Sequence, residues 1–118
     1  MAEETKALKV FLSVPMQFKS DDQIKAELKM LQAYYEATFS NSESIEVEFV
    51  DNFKPQIDGW WQMSEEERTR IRVKNLGEAI QKMSGCHKVL FYPDWKYHDG
   101  CFVEHVVAER YNLRWFDV

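Results

Sequence analysis

The chain lacks the short signatures of several common chemistries. No GxGxxG follows an apolar run and no GxxxxGK occurs, so there is neither a dinucleotide fingerprint nor a Walker phosphate loop. The GxSxG elbow of serine hydrolases is missing as well. Cysteine is scarce: Cys86 and Cys101 are the only two, and they form no CxxC. Their spacing builds neither a disulfide framework nor a zinc site, and three scattered histidines do not complete one. No metal and no cofactor are therefore expected. No apolar run is long enough to cross a bilayer, and the opening MAEETKALKV has no signal-peptide h-region, so a cytoplasmic protein without membrane contact is expected. Positive charge is also short, with 15 Lys and Arg against 20 Asp and Glu. Binding to polymeric nucleic acid, which needs clustered cations, is disfavoured.

What is present fits one folded domain spanning 1–118, since the chain is 45% hydrophobic and 14% aromatic and contains no low-complexity tract. LKVFLSV at 8–14 is a short apolar run ended by Pro15, and it reads as a strand buried on both sides. Ser20 and Gln23 form a capping pattern that opens a helix to about Phe39, with Ile24, Leu28, Leu31 and Tyr35 on one face. SNSES at 40–44 is a polar turn, and IEVEFV at 45–50 is a strand with one wetter side, near a sheet edge. Ser64 and Glu67 form a second capping box, whose helix runs to Met83 or Ser84 with Val73, Leu76, Ile80 and Met83 as its apolar stripe. KVLFY, CFVEHVVAERY and LRWFDV supply a strand, a helix and a terminal strand. The order β-α-β-α-β-α-β predicts a compact α/β three-layer sandwich of flavodoxin type, with a four- to five-stranded, mainly parallel sheet and helices on both faces. Ligands of such sheets bind beyond the carboxyl ends of the strands. Three loops, beginning with SVPMQFK, DNFKPQIDGWW and PDWKYHDG, converge there.

Those loops hold the candidate chemistry. Glu104 lies about one turn into the third helix among valines, so it is either a sheltered, ionised carboxylate aimed at the crevice or a solvent-facing residue. Asp99 is a helix cap or a second carboxylate for acid-base work, and Gly100 serves the turn or admits a substrate. His98 can donate to a phosphate, protonate a leaving group, or bond to Asp99 or water. Trp95, Tyr97, Trp60 and Trp61 can flank a flat ligand or simply pack. His105 points away from Glu104, and His87 has no evident partner. The basic cluster Arg68, Arg70, Arg72 and Lys74 follows three glutamates and reads as a solvated face, from which one arginine can reach an anion.

VFLSVPM at 10–16, LGEAIQKMSGCHKVLFYPDW at 76–95 and DGCFVEHVVAE at 99–109 together resemble the nucleoside 2-deoxyribosyltransferase-like superfamily, in particular its small phage and bacterial members. The G-x-x-x-E of Gly100 to Glu104, with the preceding P-x-W, carries most of the resemblance. It implies a flavodoxin-like sheet, a homo-oligomer, and a nucleoside or nucleotide as the small-molecule ligand. It also implies a glutamate nucleophile, Glu104, that attacks the anomeric carbon, releases the base and passes the sugar to another base or to water. The family tyrosine on strand one corresponds to Phe11, the glycine before the proline to Val14, the carboxylate ahead of the nucleophile to His98 with Asp99 beside it, and a helix carboxylate near the base to Asn75. Ser13 then stands near the phosphate or a sugar hydroxyl, and Met16 near the ligand. The expected activity is that of a 2-deoxyribosyltransferase or N-glycosidase. The alternatives are a catalytically silent nucleotide-binding or regulatory domain, and a structural partner protein anchored by Trp60 and Trp61.

Overall fold

The computed structural model describes residues 7–39 and 46–118. The polar turn at 40–44 and the expected strand start at Ile45 lie outside the described residues. The elements run β1 (Leu8–Ser13), α1 (Asp21–Phe39), β2 (Val47–Val50), α2 (Glu65–Met83), β3 (Lys88–Phe91), α3 (Asp99–Arg110) and β4 (Arg114–Asp117). Single 3-10 turns occur at Trp60–Gln62 and Trp95–Tyr97, inside segments that the sequence presents as loops. The strands form one all-parallel sheet in the order β2-β1-β3-β4. With α1 on one face and α2 and α3 on the other, this is a flavodoxin-like three-layer sandwich.

Strand alternation assigns the two layers. Val10, Leu12 and Val14 pack with Ile24, Leu28, Leu31 and Tyr35, the same four residues that mark the apolar face of α1 in the sequence. Phe11 points the other way, into Ala79, Met83, Cys86, Val89, Phe91 and Ala108. Ser13 shares the parity of Phe11 and is therefore turned toward the α2 and α3 side. Burying each large apolar side chain contributes roughly 1.5–3 kcal/mol, and Phe11, Leu12, Leu90 and Phe91 are all essentially inaccessible.

Both predicted helix starts are present. Gln23 N donates to Ser20 Oγ at 3.1 Å, and Ser64 and Glu67 close a reciprocal capping box. Several details differ from the sequence expectation, the third strand among them, which ends at Phe91 and leaves out Tyr92. The first strand ends at Ser13 rather than Val14. The α2 stripe is Leu76, Ala79, Ile80 and Met83, whereas Val73 is exposed. A helix of 19 residues is about 28 Å long, while the strands beneath it have four to six residues, so the first half of α2 overhangs the sheet. Finally, Asp99 is the first residue of α3 and not its cap; His98 occupies the cap position and makes no side-chain capping bond. No helix among the described residues is long and apolar enough to cross a membrane.

Candidate functional site

The strand order reverses between β1 and β3, and a cleft of about 1020 Å3 opens beyond their carboxyl ends. The loops after β1 and β2 form two of its walls, and the start of α3 forms a third. Ser13, Met16, Trp60, Trp61, Asn75, His98, Asp99, Gly100 and Glu104 all line it. Trp95 and Tyr97 do not. Trp95 stacks flat on His105, with ring centroids 3.6 Å apart and planes 3° apart, because the 3-10 turn rolls it under α3. Tyr97 is 80% exposed and lies outside the cleft.

Glu104 is the most distinctive group. It is 8% exposed, on the buried face of α3 that also carries Cys101, His105 and Ala108. Ser13 Oγ lies 2.6 Å from Glu104 Oε1 and 3.2 Å from Cys101 Sγ. A hydroxyl has one hydrogen to give, and the carboxylate at the shorter distance takes it when ionised. Burial pushes the Glu104 pKa from an ordinary 4.5 up to about 7, against a smaller lowering by the Ser13 bond. The expectation of an ionised carboxylate is thereby revised: near pH 7 the charged and neutral forms coexist. Glu104 is the sixth residue of α3, past the first turn in which the helix dipole supports negative charge. The Cys101 thiol, pushed up to about 12 mainly by burial and next by the nearby Glu104, is held in its inert protonated form.

Around this carboxylate the walls are polar and partly aromatic. His98 is tied to Asp94, Nε2 to Oδ2 at 3.5 Å, and not to Asp99. Lys19, itself buried, bonds Glu27 Oε1 at 2.7 Å and stands 3.5 Å from Asp94, so it joins the loop after β1 to α1 and to the loop after β3. Asn75 contributes its backbone carbonyl, which accepts from Asn52 Nδ2 at 2.9 Å. A Cβ built on Gly100 would meet nothing within 4 Å, so the chain itself does not require glycine there and the space stays open to a ligand. The arginine face has a local task. Arg68 donates to the Met63 carbonyl at 2.6 Å and lies 5.5 Å from the Trp61 ring centroid, which braces the tryptophan loop, while Arg70 pairs with Glu66.

Sequence reasoning missed three members of the site. Phe18, at a left-handed φ of 65°, stacks nearly parallel on Trp61 with centroids 6.2 Å apart. Lys19 gives no sequence signal of burial. Asn52 is buried on the cleft wall, and its Oδ1 has no hydrogen-bond partner among the described residues. Asp51 Oδ1 accepting from Phe53 N at 2.9 Å makes an Asx turn, and the DN pair after a strand was the available cue. His87 does have a partner: its Nδ1 accepts from Lys9 N at 2.9 Å. His105 holds Asp117 of β4, Nε2 to Oδ1 at 3.1 Å, a structural tie. Among the described residues no group of three or more His, Cys, Asp or Glu side chains is placed to hold a metal.

Fold and cleft together define an α/β protein of flavodoxin-like topology with a sheltered carboxyl group, its pKa raised to about 7, at the switch point. No family model matches the chain, and no solved structure matches it at a significant level.

Proposed function

We propose that this protein cleaves or exchanges the N-glycosyl bond of nucleosides or nucleoside monophosphates in the cytoplasm, with Glu104 as nucleophile, as a member of the nucleoside 2-deoxyribosyltransferase-like superfamily. The observation that carries the reading is the sheltered Glu104, hydrogen-bonded to Ser13 in a cleft large enough for a nucleotide. The ionised carboxylate attacks the anomeric carbon as the bond to the base breaks, and a proton from an acid on the rim goes to the leaving base. Asp99 and His98 are the candidate acids on that rim. A second base or water then attacks the same carbon and frees the carboxylate. Ser13 supplies from strand one the hydroxyl that Phe11 cannot, and it acts through Glu104 instead of on a phosphate. Trp60, Trp61 and Met16 offer apolar surface to the base, and Asn75 lies on the same wall.

Incubation with a panel of deoxynucleosides and their 5′-monophosphates, with and without a free acceptor base, tests the reading. Base release or exchange is expected from the wild type, with none from Glu104→Ala. Its acidic limb is expected near pH 7, and Ser13→Ala is expected to move that limb upward, because the hydroxyl lowers the Glu104 pKa. Release undiminished in Glu104→Ala would refute the proposal. Phe11, fully buried and without a hydroxyl, favours a second reading as a silent nucleotide-binding domain. Calorimetric binding of a nucleotide without any turnover would select it.

A further inference from the structure

The helix that carries Glu104 is in part inverted with respect to hydropathy, although Cys101 and Ala108 are buried on it as expected. Glu104 and His105 are buried, while Phe102, Val103 and Val106 are 48%, 37% and 38% exposed. On an ideal helix, Asp99, Phe102, Val103, Val106 and Arg110 fall within an arc of about 100°. That stripe is apolar in its middle, acidic at its first end and basic at its last. Neither Asp99 nor Arg110 has an ion-pair partner among the described residues. A stripe with opposite charges at its two ends is complementary to itself when reversed.

We infer that α3 is the contact surface of a two-fold dimer in which α3 of one subunit packs antiparallel on α3 of a second copy. With the axis passing between Glu104 and His105, Val103 opposes Val106 and each Asp99 opposes Arg110 of the partner subunit. The same register removes the exposed apolar stripe from water, which is the driving force, and the two charge pairs fix direction. Asp99 and Val103 also line the cleft, so Arg110 of the partner subunit adds a cation at the mouth of its neighbour's site. The inference rests on the surface of α3 and does not require the reaction assigned to Glu104; in the dimer the Arg110 pairing holds Asp99 ionised, which leaves His98 as the acid on the rim. A 12-residue helix is about 18 Å long, and one such face supplies only part of the ~800 Å2 per partner of a standard interface. Dissociation in the micromolar range is therefore expected.

Sedimentation equilibrium of the full chain across the micromolar range tests this, with circular dichroism to verify that each variant is folded. The wild type is expected to dimerise reversibly. Val106→Glu, Asp99→Arg and Arg110→Asp are each expected to weaken the dimer about tenfold or more, and the double exchange Asp99→Arg with Arg110→Asp to recover most of the loss. These positions are exposed, so the variants are expected to fold. A monomer at every concentration overturns the inference, as does a dimer indifferent to Val106→Glu. A double exchange no better than its single parents overturns the antiparallel register.

Discussion

A carboxylate taken out of water without a cation beside it destabilises the protein that holds it. In the native chain Glu104 keeps its proton up to about pH 7, whereas the unfolded chain releases it near 4.5. Between those values the folded state binds more protons, so stability falls as pH rises through the window. At about 1.4 kcal/mol for each pH unit, the penalty is on the order of 3 kcal/mol by neutral pH. Glu104→Gln, which keeps the shape and a donor for Ser13 Oγ, is expected to be more stable than wild type above pH 7 by up to that amount. The two should converge below pH 4.5, as urea denaturation at several pH values will show. The placement of Glu104 itself could not be read from its neighbours. Val103, Val106 and Val107 surround it in sequence, and hydropathy alone would bury them and expose the acid. Packing does the reverse for Val103 and Val106, because the buried face of α3 abuts the polar cleft around Ser13 as well as the sheet.

At the scale of elements, local chemistry was the most legible part. The cap at Ser20 and the capping box at Ser64 are short-range patterns in which a side chain satisfies a backbone N–H three residues on, and they need no tertiary partner. Ser64→Ala is expected to cost about 1 kcal/mol, measured as a shift in the denaturation midpoint, with Ser64→Thr retaining most of the stability. The start of α3 was less legible. DG before a helix reads as a cap, yet the 3-10 turn at Trp95–Tyr97 brings the chain in one residue earlier, so His98 takes the cap position. The same turn carries Trp95 under the helix and away from the cleft. Its aromatic character was plain in the sequence, but its direction was set by His105, a partner ten residues on.

At the scale of the molecule, the cleft exists because separate loops are held together at the end of the sheet. Lys19 is the central fastener, linking the loop after β1 to Glu27 and to Asp94, which in turn holds His98. Lys19→Met would leave the buried Glu27 carboxylate without its cation. A loss of about 3 kcal/mol is expected, together with weaker binding of any ligand that reads His98, measurable by thermal denaturation and calorimetry. Nothing in MQFKSDD marks that lysine as buried.

The sequence by itself determined the alternation of strands and helices, the serine caps that open α1 and α2, the buried face of α1 and the convergence of three loops on one end of a parallel sheet. These follow from hydrophobic period, turn residues and the handedness of crossovers, which act locally or apply to every chain of this topology. Only the tertiary structure decided which side chains meet in the cleft. It turned Glu104 inward to Ser13, 91 positions away in the chain, buried Lys19, sent Trp95 to the back of α3 and left an apolar stripe outside. The reason is physical: burial and a hydrogen-bond partner are properties of the space around a residue, and for these residues that space is built from segments distant in sequence.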